Sequence, residues 1–162
     1  MRIAVLTAAL VAAFLLAVPA NASPLAGDPS LPSVIVAGKT ERPLTGRADT
    51  LSIARRYMGT NPTHRRTLWC QSFVNLVERK AGRKGTGSDL ARSALGYGRP
   101  VRLTDARPGD IVVLSRRGGG HSGFLVSRSG GTVRLISGNA CNPRRVCESS
   151  YPESRILGIR RP

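Results

Sequence analysis

Gly120-His121-Ser122-Gly123-Phe124-Leu125-Val126-Ser127-Arg128, the loop Ser129-Gly130-Gly131, and Thr132-Val133-Arg134-Leu135-Ile136-Ser137-Gly138-Asn139 form the stretch that decides the fold. Two apolar-rich runs flanking a Ser-Gly-Gly loop read as strands 121–128 and 132–139 of an antiparallel hairpin, since glycines supply the left-handed backbone that tight turns require. With Ser129 to Gly131 as a three-residue loop, Arg128 faces Thr132. Counting outward then pairs Phe124 with Ile136 and His121 with Asn139. An imidazole and an amide become neighbours on one face.

Upstream, Pro108-Gly109-Asp110 marks a turn into Ile111 to Leu114, whose continuous apolar pattern predicts a strand buried on both faces. Gly118-Gly119-Gly120 separates it from the hairpin, and Arg155 to Ile159 is expected to close the sheet. Before the sheet the period is helical. Thr67 is a natural N-cap for a helix on which Cys70, Phe73, Val74, Val77 and Ala81 recur at three- and four-residue intervals before Gly82 stops it. An earlier helix starts near Asp49 or Thr50 and carries Leu51, Ile53, Ala54 and Tyr57, and a short one runs from Ser88 to Leu95. Helices followed by an antiparallel sheet indicate an α+β domain. Internal repeats and metal-type cysteine spacing are absent from the sequence, so neither a metal nor a cofactor is expected.

The N-terminus reads as a secretory leader over residues 1–22: Met1-Arg2, an apolar run from Ile3 to Val18, then Pro19-Ala20-Asn21-Ala22 as an Ala-x-Ala cleavage site. Ile3 to Ala22 is also just long enough for a membrane anchor, against which stand Pro19 and the small residues Ala20 and Ala22. A lipoprotein would need a cysteine directly after the run, and the first one is Cys70. Residues 23–48, rich in Pro, Gly and Ser, read as a flexible lead-in, and 49–162 as one small domain, expected to be monomeric and secreted or periplasmic without stable membrane insertion. The formal net charge is +16, and Arg2 is the leader's single charge, so +15 remains after cleavage. That surface suits carboxylate-rich envelope polymers in an exported protein, whereas nucleic acid is not expected there. Scattered arginines serving only solubility are the competing explanation.

Three cysteines in an oxidising compartment leave one unpaired. Cys141 and Cys147 flank a short loop and can bridge each other, which leaves Cys70 free, although pairing of Cys70 with either remains open. A thiol in the first helical turn lies near the positive end of the helix dipole, which favours the thiolate, and backbone N–H groups there can donate to a developing oxyanion. An inert, buried cysteine on the apolar face is the plainer alternative. His121 is the candidate base and Asn139 the group that orients its ring. His64, between Pro62 and Arg65, reads as a solvated loop residue, and no Gly-x-Ser-x-Gly motif supports a serine nucleophile at Ser137 or elsewhere.

At these residues the chain resembles the NlpC-type papain-like cell-wall peptidases and the related cysteine, histidine-dependent amidohydrolases. The matching pieces are Leu68-Trp69-Cys70-Gln71-Ser72-Phe73-Val74, Arg107-Pro108-Gly109-Asp110-Ile111-Val112-Val113-Leu114, Gly120-His121-Ser122-Gly123-Phe124-Leu125-Val126 and Ser137-Gly138-Asn139, which together cover nearly all of 49–162. The resemblance implies a papain-like, NlpC-type fold, with N-terminal helices packed on a small antiparallel sheet, and peptidoglycan stem peptides as substrate. It implies Cys70 as nucleophile, His121 as base and acid, Asn139 as orienting residue, and Asp110 as structural. No glutamine precedes Cys70 in the mature chain to act as a papain-style oxyanion donor, and the role of Gln71 is open. Two other functions compete: a non-catalytic basic envelope protein binding anionic polymers, and a thiol protease or transferase acting on proteins.

Overall fold

A computed structural model describes residues 47–162; the expected leader (1–22) and the expected lead-in up to residue 46 lie outside the described residues. Helices α1 (Arg47–Arg55) and α2 (Cys70–Lys80) precede a 3-10 helix, Ala91–Gly96. Six strands follow: β1 (Arg99–Val101), β2 (Ile111–Arg116), β3 (Gly119–Ser129), β4 (Thr132–Ser137), β5 (Cys147–Pro152) and β6 (Ile156–Arg161). They form one sheet in the order β1-β6-β2-β3-β4-β5 with every ladder antiparallel. This is the α+β arrangement expected from the sequence.

Strand alternation builds two cores. On one face Ile111, Val113, Phe124 and Ile136 meet Leu51 and Ala54 of α1 and Phe73, Val74 and Val77 of α2. Phe73 sets its ring against Phe124 at a steep interplanar angle, with centroids 6.3 Å apart. On the other face Val112, Leu114, Leu125, Val133, Leu135 and Ile159 cluster beneath Leu103, Tyr151 and Ile156. Both faces of β2 are therefore covered, which explains why Ile111 to Leu114 reads as a continuous apolar run. Asp110, fully buried at its entry, accepts from Arg161 Nε (2.9 Å) and Nη2 (2.8 Å) and from the Arg107 amide, a structural role as expected.

Several local expectations are corrected. Thr67 does not cap α2. The helix starts at Cys70 after Trp69, which offers no side-chain cap. Trp69 instead buries its indole completely in the core, and that burial outweighs the roughly 1 kcal/mol a hydroxyl cap contributes. The helix expected over Ser88 to Leu95 is only the 3-10 segment Ala91–Gly96, because Ser88 Oγ accepts from the Leu90 amide and Leu90 stays extended. Strands β1 and β5 were not expected. Both are sheet edges, and the Cys-Glu-Ser-Ser-Tyr-Pro of β5 lacks apolar alternation.

The hairpin turn is tighter than the three-residue loop expected: Ser129 pairs with Thr132 across Gly130-Gly131. A register shift between Leu125 and Ser127 restores the lost residue, so Phe124 does face Ile136. Strand β4 then ends at Ser137, and Asn139, at φ 56°, stands outside the ladder and does not pair with His121.

Candidate active site

Cys70 opens α2, is 5% exposed and forms no disulfide, whereas Cys141 and Cys147 are joined with Cα atoms 6.1 Å apart. That bridge is the chemistry of an oxidising compartment. No helix among the described residues is long and apolar enough to cross a membrane. The disulfide closes a loop whose Val146 is pinned to the α1–α2 connection: its N–H donates to the Thr60 carbonyl and its carbonyl accepts from the Gly59 N–H. The chain reaches this loop through Ser137-Gly138-Asn139. A Cβ on Gly138 would lie 2.5 Å from Trp69 Cζ3 and 2.7 Å from Phe73 Cβ, so only glycine lets the segment run this close to the start of α2. Cys70 thus adjoins the residue that packs against Gly138, and Asn139 follows directly.

His121 projects from the opposite side of the sheet from α2. It pairs with Leu114, whose side chain belongs to the second core, while Phe124, three residues on, faces the helix. Ser137 and Tyr151 share its face through the alternation of β4 and β5. Nε2 of His121 lies 2.9 Å from Ser137 Oγ and 3.1 Å from the Tyr151 hydroxyl, and the two rings stack obliquely with centroids 5.4 Å apart. Among the described residues, Nδ1 is buried without a hydrogen-bond partner, as is Asn139 Oδ1. Burial, reinforced by the positive charges of Arg116 and Arg155, lowers the imidazole pKa to about 4, so the ring is neutral at pH 7.

The structure therefore brings His121 and Asn139 to one cavity of about 220 Å³, lined also by Arg116, Ala140, Tyr151 and Arg155. It does not hydrogen-bond Asn139 to the ring, which Ser137 and Tyr151 hold instead. Among the described residues no hydrogen bond links Cys70 to His121, and Cys70 does not line the cavity. His64 is an exposed loop residue at φ 56°, as expected. Gln71 faces inward, with Nε2 donating to Asn75 Oδ1 (3.2 Å).

Ser137 and Tyr151 are the site residues that sequence reading missed. Ser137 was detectable: two residues before Asn139 on the same strand, it is the diagonal neighbour of His121 in the expected register. Tyr151 was not, because it sits on the unanticipated β5. A serine beside a histidine also raises serine chemistry, but Ser137 is fully buried in mid-sheet, which leaves its hydroxyl to position the ring. Among the described residues no three His, Cys, Asp or Glu side chains converge as metal ligands. No family model matches the chain, and no curated protein matches it.

Proposed function

We propose that this chain is an exported cysteine hydrolase that cleaves peptide or amide bonds in peptidoglycan through Cys70 and His121, with Asn139 beside them. The observation that carries the reading is the state of His121: a buried neutral imidazole, fixed through Nε2 by two hydroxyls, whose Nδ1 has no partner, in a fold that also holds a free thiol at a helix start. With the proton on Nε2, Nδ1 carries a lone pair and is a base. Because the ring and the start of α2 lie on opposite faces of the sheet in the resting fold, the reading requires a rearrangement that brings Nδ1 and Sγ together during turnover.

Cys70 Sγ attacks the carbonyl carbon as its proton passes to Nδ1, and backbone N–H groups of the first α2 turn can stabilise the oxyanion. The imidazolium returns the proton to the departing amine as the C–N bond breaks, leaving a thioester. Water attacks the thioester, giving one proton to Nδ1 that passes back to sulfur as the C–S bond breaks, and the carboxylic acid formed releases its remaining proton to solvent. Burial and the positive charge at Arg116 and Arg155 disfavour the imidazolium, so the imidazole rests neutral and takes up a proton only in the reaction. In this reading Ser137 and Tyr151 take the positioning role expected of Asn139, and Asn139 lines the cavity beside the ring.

A strongly basic chain suits an anionic wall, and the disulfide suits export. The placement of His121 on the sheet face opposite α2, with no direct bond to Cys70 among the described residues, favours the alternative of a non-catalytic polymer-binding protein. Incubating purified sacculi with the protein and with Cys70→Ser, then mapping new termini by mass spectrometry, separates the two. New amine and carboxyl termini that depend on Cys70 support hydrolysis; intact sacculi that merely adsorb the protein overturn it.

A further inference from the structure

The cavity beside His121 has a composition the hydrolase reading does not account for. Two of its six lining residues are arginines, and none is a carboxylate. Arg116 extends β2 two residues beyond Leu114, which puts it on the same face as His121. It is exposed and has no hydrogen-bond or ion-pair partner among the described residues. Arg155 is held in place from behind: Nε (3.1 Å) and Nη2 (2.7 Å) donate to the Ser115 carbonyl, and its guanidinium carbon lies 5.5 Å from the centre of the Tyr151 ring. Its Nη1 hydrogens donate to no protein group among the described residues. His121 and Asn139 line the same cavity and are no more than 5% exposed.

A group that suits the two guanidiniums carries negative charge. We propose that the cavity is a carboxylate-binding subsite on the amine side of the scissile bond, selecting substrates whose leaving amine belongs to an amino acid with a free carboxylate. The assignment to the amine side rests on the hydrolase reading, since the cavity contains His121, which protonates the leaving amine, and not Cys70, which retains the acyl group. Such a residue offers both features at once: its amide nitrogen is the one His121 must protonate, and its carboxylate lies a short reach away. An arginine pair recognises a carboxylate by charge-assisted hydrogen bonds, and the fixed Arg155 is ready to bind without further loss of side-chain freedom.

The test has two arms. In the first, ¹⁵N-labelled protein is titrated with N-acetylglycine, N-acetylglycinamide and inorganic phosphate while the His121 ring resonances are followed. N-acetylglycine should shift them saturably and the amide should not, and Arg116→Gln should weaken the binding by about tenfold or more while Arg117→Gln, a neighbouring exposed arginine outside the cavity, should not. Equal response to acid and amide, no response to either, or saturation by phosphate alone overturns the subsite. In the second arm, muropeptides are compared before and after carbodiimide amidation of their carboxylates, and amidation should lower kcat/KM by about tenfold or more. Cleavage insensitive to amidation refutes the subsite while leaving the hydrolase standing; selective N-acetylglycine binding with no cleavage of any muropeptide refutes the hydrolase and, with it, the amine-side assignment, leaving only a carboxylate site.

Discussion

His121 gives a quantitative handle on the site that needs no substrate. Its pKa falls from an ordinary 6.5 to about 4, first through burial and then through Arg116 and Arg155. In the unfolded chain the imidazole binds a proton as pH drops through 6.5, but in the fold it does so only near pH 4. Between those values the unfolded state holds the extra proton, so stability falls as pH is lowered across this window and is insensitive to His121 above it. At about 1.4 kcal/mol per pKa unit, the full loss is on the order of 3 kcal/mol. Urea unfolding from pH 7.5 to 4 should show this slope, and His121→Gln should remove that part of it while other acid-sensitive groups still contribute. Two-dimensional NMR of the ring should place the midpoint near 4, and Arg116→Gln should move it upward because one of the charges opposing protonation is gone. A His121 midpoint near 6.5, or a pH–stability curve identical in wild type and His121→Gln, would refute the buried, neutral imidazole on which the base assignment rests.

Three other perturbations probe the scaffold. Gly138→Ala drives a methyl into Trp69 and Phe73, neither of which can yield, so thermal unfolding should show a loss at the upper end of the roughly 1–3 kcal/mol range for overpacking. Arg83→Ala strands Glu78, which is fully buried and bonded by Arg83 Nε (2.7 Å), Nη2 (2.9 Å) and the Tyr97 hydroxyl (2.9 Å); chemical denaturation should show a loss of about 3 kcal/mol, largely relieved when Glu78 is also replaced by Leu. Ser137→Ala removes the nearer of the two oxygens on His121 Nε2, and it should lower kcat on muropeptides by about tenfold or more with KM little changed, whereas a proportionate rise in KM alone would show that Ser137 serves binding rather than ring orientation.

The parts of the fold that depend on local pattern were legible. The continuous run Ile111 to Leu114 announced a doubly covered central strand, the spacing of Phe73, Val74 and Val77 announced α2, and the odd cysteine pointed to Cys70 as the free thiol. What escaped was set by tertiary context. Trp69 overrode Thr67 as the start of α2 because a buried indole outweighs a cap. Strand β5 has no apolar alternation because its residues pair at an edge, and with it went Tyr151. The Phe124–Ile136 register came out right although the turn was one residue shorter than expected, because the register shift beyond Leu125 compensates. No sequence signal marks that shift, and the same blindness hid the end of the ladder that separates Asn139 from the His121 ring. Arg116 and Arg155 were read only as part of a basic surface, since their convergence on one cavity depends on the sheet face each occupies.

The central claim, that the imidazole of His121 activates the sulfur of Cys70, is tested most directly by the rate at which iodoacetamide alkylates Cys70, the cysteine outside the disulfide, at pH 7. The account predicts rapid labelling of the folded protein and a drop of about tenfold or more in His121→Ala with the fold intact by circular dichroism. Equal rates in the two proteins would contradict it.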